Sequence, residues 1–460
     1  MKLHPPKAIV DKNEPFKEAL FGREDFAKSL TGLLRNAEES LVIFVHAPWG
    51  EGKTTFAEMW RAYLESQKLD VIYFDAYAAD YFDDPFVSFS GEILELVDKR
   101  LAEATGQPAR REFKKTAIEV GKRLAGLAAK IGIRAATMGA VDATHVAELK
   151  EIGSEVASSV SEIGAEIIEK KIENYSAEKD SLVAFKKSLA KLAKLFRDEH
   201  GFPLTIIVDE LDRCRPDFAL NLLERIKHLF DVEGVAFVLL VNRDQIESYI
   251  RTVYGDVDSR AYLLKFGNLF VDLPNQQRES NMQYERGRKD YCQTLLNHHG
   301  FSKKVPGGSF SVGSTGVLVG HFGLTLREIE KVFAIMAIYY GSLPNGHFSD
   351  QFLITTLSTL KVKYPPLYQS LSKGIISADQ FWKQSGMDSL KTDNYNELNQ
   401  EWVKDTFDYC LMSDTEFESA TKSDNARPGI NQMGQWMRMK RKKIIPFLCE
   451  QLDRFSFQVQ

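Results

Sequence analysis

The sequence predicts an α/β fold, in which a parallel β-sheet carries a helical insertion and is followed by a mostly helical C-terminal domain. Short apolar runs of strand length alternate with helical patterns, which is typical of a parallel sheet covered by helices on both faces. Hydrophobic residues make up 44% and charged residues 27% of the 460-residue chain, an ordinary globular composition that excludes a disordered or collagen-like protein. The five predicted strands are 41–48, 71–77, 204–210, 235–242 and 268–274.

Uneven spacing between these strands divides the chain into three parts. The stretch between the second and third strands is rich in Ala, Glu, Lys and Ile at helical spacing. Its most apolar part, 121–141, is interrupted by Lys and Arg, so it lacks the roughly 20 apolar residues that a membrane-spanning helix needs. We predict a core formed by 1–96 and 201–275, a helical insertion at 97–200 and a helical C-terminal domain at 276–460.

The cysteines and the net charge restrict where the protein acts and what attracts it. Four cysteines lie far apart in the chain, which excludes a disulfide scaffold or a sequence-local zinc site and fits a reducing cytosol. We therefore expect a cytoplasmic location, with peripheral membrane association as an alternative. The net charge of −5 means that binding to nucleic acid would have to come from a local basic patch.

Two stretches of the sequence carry such a local excess of positive charge. Arg110–Arg134 holds eight Lys or Arg against two Glu, and Arg438–Lys443 holds five basic residues. Nucleic acid and an anionic membrane surface are the candidate partners for both. The alternative is a solvated helical face, which is the more common meaning of such a patch because Lys and Arg stems often cover apolar neighbours.

The motif APWGEGKTT at 47–55 follows the first predicted strand and opens a helical pattern. In this context it predicts a phosphate-binding loop, whose backbone N–H groups and helix N-terminus point at phosphates. Lys53 would contact the β- and γ-phosphates, Thr54 would bind Mg²⁺, and Ala47 stands where such loops usually have their first glycine. The residues predicted to bind nucleotide are Pro48, Trp49, Gly50, Glu51, Gly52, Lys53, Thr54 and Thr55.

Two adjacent carboxylates end the third predicted strand. Asp209 would hold Mg²⁺ through water, and Glu210 would orient or deprotonate an attacking water. Asp212 and Arg213 follow, and they either pair with each other or reach the site. Asn242, at the end of the fourth strand, either holds the attacking water beside Glu210 or simply forms a turn.

Several segments in the same order resemble the KAP family of P-loop NTPases. The loop resembles the family's Trp-Gly-x-Gly-Lys motif, and the segment 206–216 resembles its Walker B motif with a trailing Asp-Arg. The resemblance covers about 20–335 apart from the insertion, which is more charged than the membrane helices of many members. The remaining matching segments are 22–30, 71–89, 264–274 and 324–333.

The resemblance implies a function as well as a fold. It implies ATP and Mg²⁺ as ligands, a strand order of 5-1-4-3-2, metal binding by Asp209 and water activation by Glu210. Arg327 becomes a candidate to contact the γ-phosphate from the helical domain, although an exposed helix charge is its alternative. Separately, Arg213 is a second candidate to stabilise charge on the γ-phosphate, and either arginine would act in cis or from a neighbouring subunit. Asn242 occupies a position where the family often has Asp.

Together these observations predict an ATPase that couples its nucleotide state to a conformational change or to regulation of a partner. An unidentified protein partner and a homo-oligomer are expected, and some KAP proteins act in bacterial defence against phages. One alternative is a nucleotide-gated scaffold with little hydrolysis. Another is an ATPase or translocase stimulated by nucleic acid through the basic patches.

Overall fold

The structure is a computed structural model. Much of the predicted insertion, including 116–182, lies outside the residues that it describes. The domain boundaries at 96, 201 and 275 therefore remain predictions. The described residues are 2, 6, 10–37, 39–81, 85–100, 108, 111–112, 114–115, 183–227, 229, 231–274, 281–300, 312–342, 350–390, 399–422, 427–436 and 440–454.

Strands and helices alternate through the first part of the chain, and helices follow to its end. The N-terminal elements are α1 (Arg23–Asn36), β1 (Leu41–His46), α2 (Lys53–Ser66), β2 (Val71–Asp75), α3 (Ala76–Ala79), α4 (Pro85–Arg100), α5 (183–200), β3 (Leu204–Asp209), α6 (Pro216–Lys227), β4 (Val235–Val241), α7 (Arg243–Tyr254), α8 (Ser259–Leu263) and β5 (Leu269–Asp272). The later helices are α9 (Asn281–His299), α10 (Val312–His321), α11 (Leu326–Ser342), α12 (Gln351–Lys363), α13 (Pro365–Ser372), α14 (Ala378–Ser385), α15 (Gln400–Leu411), α16 (Asp414–Lys422), α17 (Pro428–Trp436) and α18 (Arg441–Asp453).

The five strands form one parallel sheet in the order β2-β3-β4-β1-β5. Read from the other edge, this is the predicted order 5-1-4-3-2, so the predicted fold class is confirmed. His46 pairs with Val241 on one side and with Asp272 on the other, which sets the register of the central strands. Because the strands are parallel, their carboxyl ends meet at one edge of the sheet, where polar side chains can converge.

The sequence of each strand reflects its place in the sheet. Every residue of β3 and β4, the neighbours at the centre, is buried, whereas β5 at the edge is only partly buried. This explains why the two central strands read as continuous apolar runs. On one face of the sheet, α2 contributes the fully buried Trp60, whose indole Nε1 donates a hydrogen bond to Thr31 Oγ1 at 3.0 Å.

A separate apolar core holds the C-terminal helices together. Its members include stacked Phe381 and Phe407, whose ring centroids lie 4.5 Å apart. Ser377 begins α14 with a reciprocal capping box to Gln380, a local sequence signal that fixes where the helix starts. The mostly helical character predicted for this part of the chain is confirmed in its described residues.

The described residues include no candidate membrane span and only parts of the two basic patches. Among the described helices, none combines the length and apolar character needed to cross a membrane. Most of the Arg110–Arg134 patch lies outside the described residues, as does Arg438 of the second patch. In the described part of the second patch, Arg441 and Lys442 both form ion pairs with Asp414, so part of this charge is used within the fold.

Candidate functional site

The loop between β1 and α2 has the backbone conformation that its glycines make available. Gly50 has a φ of +85° and Gly52 a φ of +76°, both in the left-handed region that favours glycine. A Cβ atom at Gly50 would lie 2.7 Å from Arg327 Cβ, and one at Gly52 would lie 2.8 Å from Arg23 Nη1. Both glycines are therefore required by backbone conformation and by close neighbours.

A buried arginine from α1 supports the loop from behind. Arg23, which is 4% exposed, donates to the backbone carbonyls of Glu51 and Gly52. Burial lowers the pKa of Arg23 to about 10, well above neutral pH, so the guanidinium remains charged. The side chain of Glu51 points to Arg288 of α9, with 3.7 Å between Oε1 and Nη2, and not toward open solvent.

No sequence pattern identified Arg23 or Arg288 as part of this site. Arg23 lies in the segment 22–30 that resembles the KAP family, so the sequence marked this segment but not the role of Arg23 in supporting the loop. Arg288 lies beyond the last strand, and no motif marks it. Only the fold brings α1 and α9 to the loop.

Lys53 and Thr54, at the start of α2, connect the loop to the end of β3. Lys53 Nζ donates to Ala47 O at 2.9 Å and lies 3.3 Å from Asp212 Oδ2. Thr54 Oγ1 donates to Glu210 Oε1 at 2.8 Å. The two predicted motifs thus meet through direct side-chain contacts, between residues that lie 156 to 163 positions apart in the sequence.

Asp209 is fully buried at the end of β3, and its oxygens accept hydrogen bonds from two directions. Tyr73 Oη donates to Oδ2 at 3.0 Å, and the backbone N–H of Glu210 donates to Oδ1 at 2.8 Å. Burial raises the pKa of Asp209 to about 6, while hydrogen bonds, including one from Thr54, act in the opposite direction.

These oxygen donors fit a magnesium ion. Mg²⁺ prefers carboxylate and hydroxyl oxygens, and it commonly takes only one or two protein ligands and completes its shell with phosphate and water. Thr54 and Asp209 are such a pair. Within the described residues there is no cluster of three or more His, Cys, Asp or Glu side chains suited to a metal held by protein alone.

Glu210 adopts an unusual backbone conformation at the strand end. Its φ of +62° lies in the left-handed region although it is not glycine, a conformation that is often found at functional sites. Its side chain accepts from Thr54 through Oε1, and its Oε2 lies 2.5 Å from Arg213 Nη1. The carboxylate is thus fixed between a loop hydroxyl and a guanidinium.

The structure distinguishes between the two interpretations of Asp212 and Arg213. Asp212 reaches the loop, where its Oδ2 accepts from Trp49 Nε1 at 2.6 Å, while Arg213 pairs with Glu210. Asp212 is 1% exposed, and its backbone carbonyl also accepts from Tyr249 Oη at 2.9 Å. The two residues therefore do not form the local ion pair that was one of the alternatives.

Asn242 and Arg327 are the two remaining residues that the sequence predicts for the site. Asn242 precedes α7, and within the described part of the chain no hydrogen bond reaches its buried Oδ1 or joins it to Glu210. Arg327, in the first turn of α11, has an exposed side chain, and its backbone N–H donates to Gly50 O at 3.1 Å. The C-terminal helices therefore touch the loop directly.

A cavity of about 490 Å³ opens in front of the loop. This volume is within the range of small-molecule sites. Lys53, Arg213 and Arg327 place positive charge on its wall, and Thr54 adds a hydroxyl. Its lining also includes residues that precede α1, among them Leu20 and Phe21. The cavity thus combines a phosphate-binding loop with a partly apolar wall.

Two solved structures resemble the chain at low similarity. One is a crystal structure of a DNA replication initiation factor, with 11% identity, 97% of this chain and 98% of that chain covered, and a TM-score of 0.34. The other is the ORC2 protein of Aeropyrum pernix in ADPNP–ADP complexes, with 11% identity, coverage of 96% and 97%, and a TM-score of 0.34. Such scores support no argument about function. No curated protein matches the sequence significantly.

The family model for the KAP family P-loop domain matches residues 23–301. This range begins at the arginine that supports the loop and includes both motifs and all five strands. It covers more than half of the 460 residues. The chain belongs to the KAP family and is a nucleotide-binding P-loop NTPase.

Proposed function

We propose that this protein is a Mg²⁺-dependent ATPase whose nucleotide state changes its conformation or its hold on a partner. The observation that carries the proposal is the meeting of Thr54 with Glu210 at 2.8 Å, beside the cavity in front of the loop. This contact joins the group expected to bind metal to the carboxylate expected to act on water. Hydrolysis requires both at one place.

Each residue of the site has a role in this proposal. The loop N–H groups and Lys53 would bind the phosphates. Thr54, and Asp209 through water, would hold Mg²⁺, which would neutralise phosphate charge. Glu210 orients the attacking water and accepts its proton. Arg213 and Arg327, both on the cavity wall, are the candidates to stabilise negative charge on the γ-phosphate.

The contact between α11 and the loop supplies a route from nucleotide to conformation. Because the N–H of Arg327 donates to Gly50 O, a change in the loop conformation on nucleotide binding would displace or break this contact at the start of α11. The C-terminal core contains α11 residues such as Ile329 and Phe333, so a shift of this helix would reach the rest of that domain. A protein partner or a second copy of the chain is the proposed recipient of that change.

Two further proposals follow from the family resemblance and the composition. Bacterial anti-phage defence is the proposed setting, because some KAP proteins act there. The free cysteines, all four of them buried, fit a cytoplasmic location.

A second candidate function is a nucleotide-gated scaffold with little hydrolysis. The ion pair between Arg213 and Glu210 favours it, since a carboxylate held by a guanidinium is less available to an attacking water. A nucleic-acid-stimulated ATPase is the third candidate, and it depends on the basic residues of Arg110–Arg134 and Arg438–Lys443.

Phosphate release by the full chain tests these candidates. We expect hydrolysis that requires Mg²⁺ and disappears in Lys53→Ala, which removes the ammonium from the phosphates and also from the buried Asp212, so thermal unfolding of the variant is measured alongside. Tight ATP binding without phosphate release would support the scaffold. Stimulation by DNA or RNA that weakens steeply with salt would support the nucleic-acid-dependent enzyme. Turnover unchanged in Lys53→Ala would refute the phosphate-loop assignment.

A further inference from the structure

One carboxylate oxygen of Asp212 is shared by two groups of the phosphate-binding loop. Trp49 Nε1 donates to Oδ2 at 2.6 Å, and Lys53 Nζ lies 3.3 Å from the same atom. The indole and the ammonium come from the same loop, four residues apart. Asp212, which follows β3, is therefore in contact with two side chains of the loop.

Burial makes this contact electrostatically important. Asp212 is 1% exposed and Lys53 is 8% exposed, so neither charge is well solvated. The second oxygen, Oδ1, is buried and has no hydrogen-bond partner among the described residues. A buried carboxylate in this condition needs a nearby cation, and among the described residues Lys53 is the cation in contact with it.

The same lysine is the group that must turn to the phosphates when nucleotide binds. The negative charge of Asp212 then lies beside another anion, with the indole N–H of Trp49 as its remaining donor. Asp212 and the phosphates are thus competitors for one ammonium. Because Trp49 continues to donate to Asp212, it partly replaces Lys53 as a partner of the carboxylate and so weakens the attraction of Asp212 for the ammonium.

We propose that Asp212 is a positioning residue that holds Lys53 in the nucleotide-free protein and competes with bound phosphate for it. Trp49 limits that competition through its hydrogen bond to the shared oxygen. This inference rests on the proposed placement of the β- and γ-phosphates at Lys53. It assigns a function to the Trp of the loop and to the Asp that follows the β3 carboxylates, neither of which touches water or metal in the proposed chemistry.

The nucleotide affinities of Asp212→Asn distinguish competition with phosphate from a purely structural role. Asn retains an oxygen that can accept from Trp49, but it removes the charge that attracts Lys53. If Asp212 only held the loop in place, its loss would weaken binding of every nucleotide. If it competes with phosphate, its loss strengthens binding of ATP and ADP and leaves AMP unaffected, because AMP has no β-phosphate for Lys53.

The test is equilibrium titration of the full chain with ATP, ADP and AMP, in the presence of Mg²⁺ and at fixed ionic strength. We expect Asp212→Asn to tighten ATP and ADP binding by at least about tenfold, the lower end of what a hydrogen bond to a charged group contributes. Trp49→Phe should weaken ATP binding about two- to tenfold. In the Asp212→Asn background, Trp49→Phe should have almost no further effect, since the two residues act through one interaction.

Trp382→Phe is a matched control, because Trp382 Nε1 donates to Asp408 Oδ1 at 2.7 Å in the C-terminal helices, away from the loop. It should leave ATP affinity unchanged. Trp49 is 43% exposed, so its Phe variant keeps the test available if Asp212→Asn does not fold. Unchanged or weaker ATP binding in Asp212→Asn, or an unchanged ATP affinity in Trp49→Phe, would overturn the inference. Absence of ATP binding by the wild-type chain would instead overturn the proposed function.

Discussion

Arg213 Nη1 lies 2.5 Å from Glu210 Oε2, so the proposed general base is held in an ion pair. The arginine side chain is 39% exposed, whereas the glutamate side chain is 10% exposed. The partner that can move is therefore the arginine. A phosphate group entering the cavity would offer Arg213 a second anion, and its departure from Glu210 would leave that carboxylate free to accept a proton.

Arg213→Ala should reduce ATP hydrolysis much more than ATP binding. An arginine that stabilises charge on a transferred phosphoryl group can contribute about 10³–10⁵ in rate. Single-turnover hydrolysis and nucleotide affinity are the paired measurements. Arg61→Ala is the control, because Arg61 is an exposed arginine of α2 that pairs with Glu65. Hydrolysis at the wild-type rate would mean that Arg213 serves only as the counter-ion of Glu210.

Arg327→Ala should slow hydrolysis without loosening the C-terminal helices. Its side chain is exposed on the cavity wall, and its backbone N–H, which contacts Gly50 O, is retained in the variant. We expect a fall in kcat of at least about tenfold and a change in Tm within that of an ordinary surface substitution. Lys331→Ala, an exposed position on the same helix, supplies the comparison. Equal kcat values for both variants would make Arg327 a surface residue.

Sequence patterns alone predicted the sheet and both motifs of the site. The runs at 204–210 and 235–242 correctly predicted β3 and β4. Both strands are fully buried, so their sequences are continuously apolar and easy to recognise. The loop at 47–55 was also recognisable, because its function depends on residues that are adjacent in the chain. Local signals of this kind survive in a single sequence.

Contacts between distant segments could not be predicted in this way. The pairing of Trp49 with Asp212 joins positions 163 residues apart. The ion pair of Arg213 with Glu210 is local, but it was equally hidden because it depends on the conformation of the turn between them. The left-handed φ of Glu210 directs the chain into that turn, and glutamate gives no sequence signal for it. Arg23 is similar, because its role arises only when α1 packs behind the loop.

Gly50→Ala should lower stability and nucleotide affinity together. A left-handed residue with a Cβ costs about 1–2 kcal/mol, and at Gly50 the added atom also lies 2.7 Å from Arg327 Cβ. Gly201→Ala separates the two effects, because Gly201 has a φ of +62° with open space around it. Thermal unfolding and ATP titration should show a stability loss in both variants but an affinity loss in Gly50→Ala alone. Equal losses of ATP affinity in Gly50→Ala and Gly201→Ala would show that the contact between Gly50 and α11 does not affect nucleotide binding.

Arg23→Met should weaken nucleotide binding although Arg23 supports the loop from behind. The substitution keeps most of the side-chain volume and removes the donors to the carbonyls of Glu51 and Gly52. Hydrogen bonds to charged groups contribute about 1.5–3 kcal/mol, so we expect a loss of stability of that size and a weaker affinity for ATP. Lys28→Met, on the exposed side of α1, should change neither quantity. Normal ATP affinity in Arg23→Met would show that the loop keeps its shape without this support.

Glu210→Gln should separate nucleotide binding from chemistry. Glutamine has nearly the shape of glutamate, and its amide oxygen can still accept from Thr54, so the start of α2 should be preserved. The amide is a poor base, and loss of a positioned general base costs about 10²–10⁴ in rate. The variant should therefore bind ATP with nearly normal affinity, hydrolyse it slowly in single-turnover experiments and accumulate in its ATP-bound state. Any complex that depends on bound ATP should become longer-lived.

The substitution also breaks the ion pair with Arg213, which gives the experiment a second readout. A guanidinium released from its carboxylate is free for phosphate, so ATP affinity in Glu210→Gln should be equal to or slightly higher than in the wild type. Adding Arg213→Ala to this variant should remove that gain. Equal hydrolysis rates in Glu210→Gln and wild type would exclude Glu210 as the base. A parallel loss of binding and hydrolysis would instead mean that Glu210 supports the fold of the β3 end, where its left-handed backbone links the strand to the turn that carries Asp212 and Arg213.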